Sequence, residues 1–328
     1  MNTLLAASST ISFPGLGIGE FTVSPEAFRI PGMERGIAWY ALIITFGMIC
    51  CFFYTLVQAK KIGITFDDVI DYALFTIPSG VIGARLYYVI FDGEHVYKTF
   101  WDVINITNGG LAIYGGIIAG TIAVLAVSYF KKINFFAFGD CVAPGVLLAQ
   151  GIGRWGNFMN GEAFGEQTDI FIRMGLKNNL TAYTFGTSEM VYVHPTFLYE
   201  SLWNLVGVLG VYLFAKLLGK KYDGQLVLLT FGWYGLGRMF IEGLRMDSLT
   251  GGSDTVRVSQ LLAGVIFVLF LAMLIFFKVK PPKRELYKKA FIEGENKKEP
   301  DSFDKMIVKI KSFFAKDNSD SKNDKSDK

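Results

Sequence analysis

From Gly151 to Gly165 the chain reads GIGRWGNFMNGEAFG, which sets Arg154, Asn157, Asn160 and Glu162 among five glycines at the end of a long apolar segment. An arginine at membrane depth costs from about 2.5 kcal/mol to over 10 kcal/mol, so it marks a functional site by default. Two further polar blocks lie at the ends of apolar segments. HPTFLYE runs from His194 to Glu200, and GWYGLGRMFIEGLR from Gly232 to Arg245. Arg238 and Glu242 are spaced to share one helix face, with Arg245 on a neighbouring line. A guanidinium stays charged at physiological pH and meets phosphate through two parallel N–H bonds, so several around one cavity suit an anionic phospholipid headgroup. The sequence has no GxSxG elbow, no HExxH pair and no aspartate cluster for a two-metal site. One reaction that needs no protein-bound metal is displacement at a glycerol carbon, with arginines neutralising the departing phosphate.

Blander readings compete with each block. Gly115, Gly116 and Gly120 are better explained by close helix packing than by chemistry. Arg238 with Glu242 could be a neutralising pair that only joins helices. Arg154 on the same face weighs against this, with Glu162 as its candidate partner. His194 alone is more often a helix-start residue than a catalyst. Arg85, within GARLYY, could snorkel beside its aromatic neighbours.

The elements that must position these residues are membrane helices. Of 328 residues, 52% are hydrophobic, 15% aromatic and 19% charged, too apolar for a soluble domain of this length. The formal net charge of +3 is small, and the lysines gather in short loops and a tail, which excludes a nucleic-acid face. Cys50, Cys51 and Cys141 lie in apolar stretches and form no disulfide framework. Hydropathy predicts an all-α polytopic protein with about seven spans, near 36–58, 69–91, 109–130, 138–158, 195–218, 225–244 and 258–277. Residues 1–35 read as an outer-side interfacial segment and 161–193 as a small extracytoplasmic insert with short strands. Basic residues follow the first, third, fifth and seventh spans, placing the N-terminus outside, the C-terminus in the cytoplasm and all three polar blocks on the outer face. The charged tail, 281–328, contains apolar residues at helical spacing over 303–316, compatible with an amphipathic helix or with chance.

GRWGNFMNGEAFG matches the signature of the prolipoprotein diacylglyceryl transferases. HPTFLYE, WYGLGRMFIE, WYALI from Trp39 and GARLYYVIF from Gly83 resemble that family's other blocks in the same order. The resemblance covers about Gly36 to Phe277. It implies an enzyme of the bacterial cell membrane whose site faces the extracytoplasmic side. Such an enzyme moves the diacylglyceryl group of phosphatidylglycerol onto the lipobox cysteine of a prolipoprotein signal peptide and releases glycerol phosphate, the first step of lipoprotein lipidation. Carried over by position, Arg154, Asn157, Arg238 and Glu242 fall where the family needs residues for activity or headgroup binding. Asn160, Glu162, Gly165, Tyr40, Tyr234, Arg85 and Arg245 complete the substrate-binding set. One departure is Tyr114, which stands where many members have a histidine considered as a general base. A phenol with its ordinary pKa of about 10 is a poor base at neutral pH. Tyr114 and His194 are the two candidates for thiol activation.

The rival reading is an anionic lipid or solute transporter, or a scramblase, using the same arginines. It predicts an internal repeat with matched broken helices, and the signature has no counterpart around Arg238 beyond a shared Gly-Arg pair.

Overall fold

A computed structural model describes residues 8–29, 36–92, 97, 99–106, 109–246, 258–282 and 286–288. The expected amphipathic stretch at 303–316 lies outside the described residues, as do 1–7 and 30–35 of the N-terminal segment. In chain order, β1 (Ser9–Phe13), β2 (Ile18–Val23), β3 (Glu26–Phe28) and β4 (Ile37–Ala38) precede α1 (Trp39–Lys60), α2 (Phe66–Phe91), the short α3 (Phe100–Ile104), α4 (Ile113–Lys131) and α5 (Phe135–Asn160). Then come β5 (Met174–Lys177), α6 (Asn179–Phe185), β6 (Val191–Val193), α7 (Thr196–Leu217), α8 (Gln225–Glu242) and α9 (Val258–Val279). Two compact units result, one built from the chain up to Ala59 with Phe136–Tyr287, the other centred on Lys60–Phe135.

Six helices, α1, α2, α4, α5, α7 and α9, are long and apolar enough to cross a membrane. The helix expected at 225–244 is present as α8, but Gln225, Arg238 and Glu242 make it too polar to join them on composition. It packs against α7 and α9. A side chain at Gly235 would come within 3.0 Å of the Ala263 carbonyl oxygen and the Phe267 nitrogen of α9.

In the first unit, the N-terminal segment and the insert, read separately in the sequence, form one antiparallel sheet of order β2-β1-β5-β6. Ile11 of β1 lies opposite Phe21 of β2 and Leu176 of β5, and Met174 opposite Val193 of β6. In β6 the period of two is plain, since Val191 and Val193 are buried and Tyr192 is exposed. The buried face, Ile11, Phe13, Leu176 and Val193, packs with Phe164 of the signature and Phe197 at the start of α7. The fold is therefore helical with an added small sheet, and that sheet lies directly on the loop after α5.

The other end of α8 is tied to α5 by a buried carboxylate. Gly224, before α8, offers no capping side chain. Asp140 of α5 takes that role, accepting from the backbone N–H groups of Leu226 at 2.9 Å, Val227 at 3.0 Å and Gly224 at 2.9 Å, and from Lys220 Nζ at 3.1 Å. A negative charge on free helix N–H groups is favourable both as a hydrogen-bond acceptor and against the helix dipole. Burial works against the Lys220 ammonium, but Asp140 and Asp223 outweigh it and hold the Lys220 pKa above the ordinary lysine value.

In the second unit, α2 and α4 approach closely through small residues. A side chain at Gly83 would strike Ala119 and the Gly115 carbonyl, and one at Gly115 would strike the Gly83 carbonyl and Tyr87. Thr65 and Asp68 form a capping box at the start of α2. Buried Asp71 pairs with Lys131 at 2.8 Å, and the Tyr72 and Ser128 hydroxyls meet at 2.7 Å.

Candidate active site

The signature is a helix end followed by a turn that folds back on it. Gly161 follows α5 with φ at 62°, a left-handed conformation that glycine adopts without penalty. The Gly161 N–H donates to the Phe158 carbonyl at 3.0 Å and the Glu162 N–H to the Asn157 carbonyl at 3.1 Å. These two bonds define a Schellman C-cap, and they satisfy carbonyls the helix would otherwise leave open. Glu162 is thereby returned over the last turn of α5. Its Oε1 accepts from Asn157 Nδ2 at 2.9 Å and Asn160 Nδ2 at 3.1 Å, while Arg154 donates to Asn157 Oδ1 at 3.3 Å. Ala163 also has positive φ, at 54°, and its carbonyl accepts the Thr196 hydroxyl.

Gly165 is where the three polar blocks meet. Its N–H donates to the His194 carbonyl at 3.0 Å, and it forms an antiparallel bridge with Arg245. The next residue, Glu166, donates its N–H to the Leu244 carbonyl at 2.9 Å and accepts from the His194 N–H at 3.0 Å. A side chain at residue 165 would come within 2.7 Å of His194 Cβ and 2.9 Å of the Leu244 carbonyl oxygen. Only glycine lets the backbones come together here.

The charged centre is Glu200, on α7 and 5% exposed. Arg154 of α5 reaches its Oε2 at 2.5 Å, Arg238 of α8 its two oxygens at 3.2 Å and 3.1 Å, and Arg245 its Oε1 at 3.5 Å. Arg238 also pairs with Glu242 at 2.6 Å, and Glu242 accepts the Ser259 hydroxyl of α9 at 2.6 Å. The Arg238–Glu242 pair was expected from its spacing. The carboxylate of Arg154 was not, since Glu162 is held by the two asparagines and Glu200 makes the ion pair. Three guanidiniums thus converge on a group able to neutralise one of them. Glu242 pairs with Arg238, which therefore has a carboxylate on either side.

Ile152 and Trp155, which flank Arg154 along α5, join Trp39, Leu42, Ile43 and Phe46 of α1 and Leu205 of α7 around an apolar cavity of about 340 Å³. Trp155 donates to the Ser201 hydroxyl at 3.1 Å on its rim. A mostly apolar pocket with a few polar groups at one end is the usual form of a small-molecule site. Tyr40 packs on Gly156, where a side chain would come within 2.6 Å of its ring. Tyr234 is half-buried on α8, one turn before Arg238. His194 Nδ1 and the Tyr199 hydroxyl are 3.2 Å apart.

A reciprocal contact fixes the register of α7 and α8 between these groups. The Trp203 and Trp233 rings stack at 4.4 Å, and each indole N–H donates to the other residue's carbonyl, at 3.0 Å and 2.8 Å. Gly207 and Gly237 leave the space for these rings.

Arg85 and Tyr114 belong to the second unit. Arg85 was placed among the substrate-binding residues, yet its guanidinium donates to four backbone carbonyls: Val103 at 2.7 Å, Asp102 at 2.8 Å, and Gly109 and Gly110 at 3.0 Å each. It also lies over the Tyr88 and Tyr97 rings. That geometry makes it the holder of the α3 backbone and of Gly109 and Gly110 ahead of α4. Tyr114 is 43% exposed, with its ring centre 6.4 Å from that of Tyr87. Glu200 is the functional residue that the sequence reading passed over. The signal available was its place in HPTFLYE, one turn inside a helix opened by a polar block.

An arginine cluster bridged by a buried carboxylate, at the ends of apolar helices and next to an apolar cavity, defines a membrane protein with a site for an anionic, amphipathic ligand. The model of the prolipoprotein diacylglyceryl transferase family matches residues 25–276. A phosphatidylglycerol--prolipoprotein diacylglyceryl transferase of Clostridium perfringens is 38% identical over 275 residues, 81% of this chain and 99% of the relative. That of Enterococcus faecalis is 41% identical over 263 residues, 79% of this chain and 92% of the relative. That of Clostridium kluyveri is 40% identical over 265 residues, 78% and 97%. The chain belongs to the prolipoprotein diacylglyceryl transferase family.

Proposed function

We propose that this protein transfers the diacylglyceryl group of phosphatidylglycerol to the thiol of a prolipoprotein cysteine, as the names of its relatives state for them. The observation that carries the reading is the convergence of Arg154, Arg238 and Arg245 on Glu200 beside the apolar cavity. The arginines suit the headgroup phosphate and the cavity suits an acyl chain. In the reaction, the cysteine sulfur bonds to the terminal glycerol carbon and the carbon–oxygen bond to phosphate breaks. The electron pair stays on the departing glycerol phosphate. Arg154 and Arg238 stabilise the charge that develops on that oxygen. Asn157, Asn160 and Glu162 keep Arg154 in place, as Glu242 keeps Arg238. The thiol proton passes to a base, for which His194, paired through its backbone to Gly165, and Tyr114 are the candidates.

The same reading makes α8 a seventh span, sheltered by α7 and α9; its 18 residues cover about 27 Å at 1.5 Å per residue. The alternation of basic and acidic connections supports an outer N-terminus, a cytoplasmic C-terminus and an extracytoplasmic site in the bacterial cell membrane. The test is to supply phosphatidylglycerol and a lipobox peptide to the purified protein and look for the diacylglyceryl thioether by mass spectrometry. A peptide that stays unmodified while the protein is folded refutes the reading, and full activity in Arg238→Ala refutes the role of that arginine.

A further inference from the structure

Glu200 presents a difficulty for a phosphate site, because it occupies the guanidinium edges that a phosphate would need. Its two oxygens take contacts from Arg154, Arg238 and Arg245, and it is 5% exposed. A fixed anion in that position weakens the binding of any other anion through like-charge repulsion. The charge change in the reaction supplies a reason for it. The substrate phosphodiester carries one negative charge. The released phosphate monoester carries about −1.5 to −2 at neutral pH. Arginines that stabilise the departing oxygen must therefore hold the product more tightly than the substrate, and a site made of arginines alone would become trapped with product.

We infer that Glu200 is a resident stand-in for the phosphate, a positioning residue that exchanges with it on Arg154, Arg238 and Arg245 and so drives release of glycerol phosphate. Being attached to α7, the carboxylate competes as an intramolecular partner at high effective concentration, so a guanidinium that loosens from the product is recaptured. Repulsion from Glu200 also acts on the more highly charged product about twice as strongly as on the substrate. Arg238 has a second carboxylate partner, Glu242, at 2.6 Å. The exchange thus leaves that helix anchored. The inference rests on the transfer reaction proposed above.

The test compares two constants in wild type, Glu200→Gln and Glu200→Asp, with full-length protein in lipid nanodiscs: the KM for phosphatidylglycerol and the Ki of added glycerol phosphate. In Glu200→Gln the Ki is expected to fall by roughly tenfold or more, and the KM by a clearly smaller factor, because the neutral amide relieves the dianion more than the monoanion. Glu200→Asp keeps the charge but withdraws it by one methylene, and its Ki-to-KM ratio is expected to fall in the same direction by less. It carries the test if the glutamine variant does not fold. A Ki that is unchanged, or that moves by the same factor as the KM, overturns the role of Glu200 and leaves the transfer reaction standing. A wild-type protein that forms no thioether overturns the reaction itself.

Discussion

Arg238 and Glu242 allow the structural and chemical uses of one ion pair to be separated. Glu242 is 2% exposed, with Arg238 at 2.6 Å and the Ser259 hydroxyl at 2.6 Å. Arg238→Gln removes the ionic partner of a buried carboxylate, which costs about 3–5 kcal/mol of stability. Glu242→Gln is milder, at about 1–2 kcal/mol, because Arg238 keeps Glu200 at 3.1 Å. In the double variant no carboxylate of the pair is left without its cation, and Glu200 keeps Arg154 and Arg245. It is expected to recover about 2–3 kcal/mol relative to the sum of the single changes. Activity should not follow stability. The phosphate-stabilising charge is gone in both Arg238 variants, and loss of one preorganised donor of this kind lowers turnover by about 10² to 10³. Thermal unfolding in detergent and thioether formation by mass spectrometry, measured on the same four preparations, give the two readouts. A double variant that regains activity along with stability would refute the assignment of Arg238 to the phosphate. Strict additivity of the two stability changes would refute the pairing.

Three further outcomes follow from the same geometry. Gly165→Ala forces a methyl group toward His194 Cβ and the Leu244 carbonyl, 2.7 Å and 2.9 Å away, and is expected to cost about 1–3 kcal/mol and most of the activity, whereas Gly153→Ala, with nothing within 4 Å, should be tolerated; both are checked by unfolding and by thioether yield. Asp140→Asn withdraws the charge that caps α8 and pairs with Lys220, and a loss of about 2–4 kcal/mol in thermal stability is expected, with the KM of the folded fraction unchanged. His194→Gln should lower turnover by about 10² or more at neutral pH if His194 takes the thiol proton; a smaller effect, with Tyr114→Phe giving the larger one, would move that role to Tyr114.

Much of this protein was legible before any coordinate. Long apolar runs predicted helices close to those found, with the largest offset where Gly109 was expected and Ile113 begins α4. The reason is local: a membrane helix satisfies its own backbone and declares itself by length and composition. The Arg238–Glu242 contact was present in its spacing, since it is decided within a few residues of chain. Contacts between distant elements were not legible. That β1 pairs with β5, so that the N-terminal segment and the insert share a sheet, depends on registers that no short window contains. Nothing near Arg85 in the sequence names its partners, and only the structure shows that the carbonyls of Asp102, Val103, Gly109 and Gly110 take its donors. The partner of Arg154 is the clearest case. Glu162 is near it in sequence, but the C-cap turns Glu162 toward Asn157 and Asn160, and the packing of α7 with α8 sets Glu200 among the three arginines. From the sequence alone follows which charged groups lie within the long helical stretches and on which of them they sit. Tertiary structure decided which of them meet, because an ion pair forms over a few ångströms and helix register, fixed here by Asp140 at one end and the Trp203–Trp233 stack along the length, sets that distance.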